Sequence, residues 1–141
     1  MKIEEQVLSR EQMKHLQELG VDTSDASMCW LDFEDNEPMD VAVFIPEVML
    51  GYAHCNLYPA YTISDLIEKL PEELKIEHKV YCREIIMFND LISVSYYNNA
   101  EVKLLFSIDN TDDKKSTLIK LLYKTLCWVA EKQKELLEVK K

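Results

Sequence analysis

Apolar residues along this chain recur first at helical spacing and then at strand spacing. Met13, Leu16 and Leu19 mark one face of a helix. Ser9 stands before it as an N-cap, Gln12 completes a capping box, and Leu8 is placed to pack against Met13. Gly20 follows where a left-handed turn would close the helix. A polar turn over residues 21–25 leads into Ser27–Phe33, which reads as a strand. Residues 34–40 form an acidic loop, Val41–Ile45 a second short strand, and Pro46 opens a brief helical turn with Val48, Met49 and Tyr52.

Ile63, Leu66, Ile67 and Leu70 return to helical spacing behind Thr62, an N-cap with Asp65 three residues on; Pro71 stops that helix. From Lys75 to Ile108 the period drops to two. Ile76, His78, Val80 and Cys82 alternate with other residues, as do Ile92, Val94 and Tyr96, and then Val102, Leu104, Phe106 and Ile108. Asn98-Asn99 suits a tight turn, because Asn tolerates positive φ. The pattern predicts a three-stranded antiparallel meander with one buried face. Asn110 or Thr111 then caps a long helix over 112–138, about 40 Å if fully helical. Leu118, Ile119, Leu122, Leu126 and Val129 face inward, and Lys120, Lys124, Glu131 and Glu135 face out. No linker or repeat interrupts the chain. The fold expected is a single α+β domain over 1–141: an antiparallel sheet of about four to five strands, helices packed on one side, and a long C-terminal helix.

Composition narrows the function classes. At 141 residues, 48% hydrophobic and 30% charged, the chain matches an ordinary globular domain that needs no metal or disulfide staple. Two glycines, Gly20 and Gly51, leave no phosphate-cradling loop. No apolar run reaches a membrane span, and Met1-Lys2-Ile3-Glu4-Glu5 lacks a secretion signal's apolar core. Four scattered cysteines without CxxC spacing are expected as reduced thiols in the cytoplasm.

Charge adds a candidate surface. The net charge of −10 disfavours direct nucleic-acid or anionic-membrane binding. No Lys or Arg lies between Lys14 and Lys69, where eleven acidic residues fall; Lys114–Lys141 carries eight lysines against three glutamates. Asp32, Glu34, Asp35, Glu37 and Asp40 are the candidate partner-binding residues, an acidic docking face for a basic protein, with a solvated loop as the plainer account.

No catalytic or cofactor-binding residue is assigned. His54, Cys55, His78 and Cys82 match no zinc spacing, and His78 reads as a core histidine beside Val80. Cys29 and Cys127 each precede a tryptophan in an apolar run, the wrong setting for an activated thiol. The acidic loop lacks an EF-hand's glycine and register. Trp30, Tyr58, Tyr61, Tyr96, Tyr97 and Trp128 read as packing residues.

Three segments carry a resemblance. Leu8-Ser9-Arg10-Glu11-Gln12-Met13-Lys14-His15-Leu16-Gln17-Glu18-Leu19-Gly20-Val21-Asp22, running into Ala26-Ser27-Met28-Cys29-Trp30, is similar to the opening of an uncharacterised family of small proteins encoded by phages, prophages and mobile elements of gut bacteria. Tyr58-Pro59-Ala60-Tyr61-Thr62 with Asp65-Leu66-Ile67 and Leu70-Pro71 resembles the family's middle signature, and Leu126-Cys127-Trp128 its closing helix. The acidic stretch 31–57 and the lysine-rich tail are longer than the family pattern. The resemblance implies a genomic setting and no catalytic residues. With no chemical motif assembled, the expectation is a non-enzymatic accessory protein of a phage or mobile element in the host's cytoplasm. It would bind another protein and need no cofactor or metal. The alternatives are an acidic nucleic-acid mimic that inhibits a host defence enzyme, and an enzyme or small-ligand binder with a scattered site.

Overall fold

The computed structural model describes residues 5–33, 40–43 and 55–139. The first helix, α1 (Arg10–Glu18), starts as its sequence dictates: the Gln12 amide donates to Ser9 Oγ at 3.2 Å and the Ser9 amide to Gln12 Oε1 at 2.9 Å. Gly20 closes it at φ +92, with the Val21 amide reaching back to Leu16 and the Gly20 amide to Gln17. This double return satisfies carbonyls that a helix end otherwise leaves open. Leu8 and Met13 share the core beside it.

Two antiparallel sheets follow. In the smaller, β1 (Met28–Phe33) lies between β2 (Asp40–Val43) and β3 (Cys55–Ala60). Trp30 ties this sheet to the first segment, its Nε1 donating to the Leu8 carbonyl at 2.9 Å, and the Arg10 guanidinium lies 3.3 Å from the centre of the Tyr58 ring. The Ile45 end of the second predicted strand and the predicted turn after Pro46 lie outside the described residues. Next comes α2 (Ile63–Lys69), with the capping box of Thr62 and Asp65 and its end just before Pro71.

The larger sheet has four strands, β4 (Glu73–Ile76), β5 (Lys79–Phe88), β6 (Leu91–Asn98) and β7 (Lys103–Asp109), in sequential order. The expected three-stranded meander is therefore extended by β4. The hairpin from β4 to β5 turns on Glu77 and His78, both at positive φ (52 and 67), without the Asn or Gly such turns favour. His78 is thus an exposed turn residue, not a core histidine. Between β6 and β7 the tight turn expected at Asn98-Asn99 is a four-residue connection, 99–102, and Asn98 Oδ1 at its start accepts the Glu101 amide at 2.9 Å.

Register decides which face is buried. Arg83 pairs with Tyr96, Ile85 with Val94, and Tyr96 in turn with Phe106, so these side chains share the inner face. Val80 and Cys82 therefore point outward and are exposed, opposite to the alternation expected from sequence. Tyr81 is the buried residue between them. On β7 the register shifts: Tyr96 pairs with Phe106 but Tyr97 with Leu104, leaving Leu105 as an extra residue. That bulge reverses the alternation, so Phe106 and Ile108 face inward while Leu104 does not.

The last helix, α3 (Leu118–Val139), starts six residues later than expected. Asn110 is spent elsewhere: its Oδ1 accepts the Ile92 amide and its Nδ2 donates to the Asp90 carbonyl, clamping β7 to the start of β6. Asp113 holds a separate turn through the Lys115 amide and the Ser116 hydroxyl. The three helices share one core with the inner face of the four-stranded sheet, α3 lying against β6 and β7 and contacting both other helices; Leu16, Leu66, Val94, Tyr96 and Leu122 are fully buried in it. Trp128 of α3 stacks on Phe106 at 4.5 Å between ring centres. Arg83 crosses from β5 to the end of α2, its Nη1 donating to the carbonyls of Ile67 and Leu70, both at 2.8 Å. A guanidinium there answers the partial negative charge of a helix C-terminus. Among the described residues, no helix is long and apolar enough to cross a membrane.

Candidate functional site

The acidic segment is divided by the structure. Asp32 is half-buried on β1, opposite Asn56, and Asp40 opens β2 opposite Leu31, which places their backbones at the same end of the small sheet. Glu34, Asp35 and Glu37 lie outside the described residues. Of the imagined zinc ligands, His54 and the Cys55 side chain are also outside them, and His78 and Cys82 sit in a turn and on the outer sheet face. No three His, Cys, Asp or Glu side chains converge among the described residues.

A histidine and a cysteine do meet where sequence gave no hint of it. His15 of α1 lies across from α3, its Nδ1 2.7 Å from the Tyr123 hydroxyl and 3.8 Å from Cys127 Sγ. Tyr123 and Cys127 are one helical turn apart, so pairing the two helices brings all three together. The same imidazole nitrogen faces both partners. Burial pushes the Cys127 thiol up; hydrogen bonding with Tyr123 offsets part of this and the nearby Glu131 carboxylate adds to it. An activated nucleophile needs the opposite shift. This is a solvent-exposed polar contact between helices.

A cleft of about 490 Å³ opens between the ends of α1 and α2 and the middle of α3, over Leu19, Val21, Leu126 and Val129. One of its cations, Lys69, is already engaged. Lys69 Nζ donates to Asp25 Oδ2 at 3.0 Å and to the Asp22 carbonyl at 2.8 Å. The Tyr61 hydroxyl lies 2.6 Å from Asp25 Oδ1. Burial pushes Tyr61 well above the usual tyrosine range, and the Asp25 carboxylate pushes it further. Burial would raise Asp25 in turn, but the Tyr61 and Lys69 contacts hold it below the ordinary carboxylate value. These groups fasten the 22–25 loop to α2.

The most distinctive surface is the outer face of the four-stranded sheet. Register places Phe88 opposite Leu91, Ile86 opposite Ser93, Glu84 opposite Ser95, and Cys82 opposite Tyr97, which pairs on with Leu104. Large apolar side chains stand in solvent here: Phe88 is 68% exposed, Leu104 55% and Ile86 40%, with Val80 and Leu91 close behind. They form two groups, one at the β5–β6 hairpin and one toward β4 and β7, separated by a band of serines and Glu84. Sequence reasoning missed this face because it assigned Val80, Cys82 and Leu104 to the core. Four consecutive apolar residues, Ile85 to Phe88, were the available signal: such a run in a strand puts apolar groups on both faces.

No protein-family model matches the chain, and no curated protein or solved structure matches it significantly.

Proposed function

We propose that this chain acts by binding another protein, through the outer face of its four-stranded sheet, without chemistry of its own. The observation that carries the reading is the exposed apolar set Val80, Ile86, Phe88, Leu91 and Leu104 on one side of a single sheet. Keeping such side chains in water is unfavourable by roughly 25 cal/mol per Å² of apolar area, and two apolar groups on one face, rimmed by polar residues, fit a surface on which another protein docks. The Lys69–Asp25–Tyr61 and His15–Tyr123–Cys127 contacts support it from the other side, since each links helices or loops. The setting in a phage or mobile element, in the cytoplasm of a bacterial host, is part of the same proposal and rests on the sequence resemblance.

Site-specific photo-crosslinking in host cells tests it. A photoreactive residue in place of Phe88 should give a discrete protein adduct, and one in place of Lys124, on the exposed side of α3, should not. Equal labelling from both positions would sink the reading.

A further inference from the structure

We infer that the occupant of this face is a basic amphipathic helix, its apolar anchors on the Ile86–Phe88–Leu91 and Val80–Tyr97–Leu104 groups and its Lys or Arg residues toward Glu73, Glu84 and Asp109. The inference rests on the protein-binding reading above and gives the partner a chemical class.

Three observations carry it. The first is charge. By register, Glu73, Glu84 and Asp109 stand on the outer face with the apolar residues, against one basic residue there, Lys75. The whole chain carries −10. A second copy would bring the same sign to the interface, and an anionic lipid surface would be repelled as well; a cationic partner is attracted and steered. The second observation is relief. Along β6 the outer positions between Leu91 and Tyr97 are the half-buried Ser93 and the buried Ser95, low between larger neighbours, and the exposed Ser107 of β7 lies beside Ser95. Small side chains across the middle of the face let a helix backbone approach while larger groups grip at each end. The third is length. Cys82 and Ile86 mark the near edges of the two apolar groups on β5, four residues or about 14 Å apart along a strand. That spacing equals about nine residues of helix. A sheet buries an apolar face against a helix as readily as against another sheet, and α3 already does so on the inner side.

The probe is a synthetic 18-residue peptide of Leu and Lys in helical period, with a second peptide in which Glu replaces every Lys. Each is titrated into the full-length, isotope-labelled chain, followed by amide shifts and by anisotropy of the labelled peptide. The Lys peptide should shift the amides of Ile86, Phe88, Ser95, Tyr97 and Leu104. Its affinity should fall about tenfold or more when Phe88→Ser and Leu104→Ser are combined, since two central anchors are lost. Raising salt should weaken it, and Glu73→Gln with Glu84→Gln should flatten that dependence. Both pairs are exposed, and a melting curve unchanged from the parent shows that loss of binding is not loss of fold. Lys-peptide binding that ignores the Phe88/Leu104 pair, or that shifts other residues, overturns the inference. Equal or tighter binding of the Glu peptide at this face overturns the charge class and leaves the protein-binding reading standing. If neither peptide moves these amides and the Phe88 crosslinker captures nothing in host cells, both fail together.

Discussion

Replacing Arg83 with methionine tests how the helical layer is fastened to the sheet. The substitution keeps most of the apolar stem and removes the guanidinium, whose Nη1 donates to the carbonyls of Ile67 and Leu70 at 2.8 Å each. Hydrogen bonds to a charged group contribute roughly 1.5–3 kcal/mol apiece, and Arg83 is half-buried, which places the combined loss at about 2–4 kcal/mol. Part of that is the cost of leaving two carbonyls at a helix end without their donor. For a domain of this size the loss corresponds to a fall of roughly 6–12 °C in Tm. A urea melt should show a lower midpoint with an unchanged slope, because the same surface is exposed on unfolding. Arg83→Lys should lie between the two: it keeps a charge, but a flexible ammonium replaces the planar fork. A loss below about 0.5 kcal/mol for Arg83→Met would show that the α2 terminus is held by packing alone and that the argument from these two bonds is wrong.

Three further outcomes are expected. Leu122→Ala, at a fully buried position in the main core, should cost about 2–5 kcal/mol in a denaturant melt, and a loss under about 0.5 kcal/mol would remove this face of α3 from the core. Combining Glu77→Asn with His78→Gly should raise stability by about 1 kcal/mol, since both turn residues sit at positive φ where Asn and Gly are favoured; a lower urea midpoint would contradict that account. Asp25 is held below its ordinary pKa, so its contribution is complete above about pH 4 and is lost as pH falls through the lower folded value. Asp25→Asn should therefore cost about 0.5 kcal/mol at pH 7, the scale of a solvent-screened pair, and less at pH 3, and an equal cost at both would refute the linkage.

The caps of α1 and α2 and the antiparallel meander were legible along this chain; the start of α3 and the strand register were not. Ser9 with Gln12 and Thr62 with Asp65 mark helix starts because a cap is made by residues three apart. The inward face of α3 follows from spacing for the same reason. What failed was register. On β5, Tyr81, Arg83 and Ile85 share the inner face, with Met87 on the same side but exposed beyond the core, and Val80, Cys82, Ile86 and Phe88 take the other; the charged Arg83 makes the inner side look like the solvated one. Nothing local reveals that Arg83 is drawn inward by the carbonyls that end α2. The Leu105 bulge is equally silent, as it exists only relative to β6. The candidate surface was lost with the register, because apolar residues assigned to a core are never searched for as a binding face.

The extra residue in β7 also bears on aggregation. Among the described residues Lys103–Asp109 is one of the two edge strands of its sheet, and it carries the run Leu104-Leu105-Phe106 with no proline to interrupt it. A straight strand of that composition, with one row of backbone groups facing outward, would template pairing with another chain and growth into cross-β stacks. With Leu105 inserted, the donors and acceptors along the free edge fall out of step and the strand twists more sharply. An incoming strand can match one half of the edge or the other, and not both. The protein can therefore hold an oily strand at the margin of its sheet and still be kept from polymerising along it.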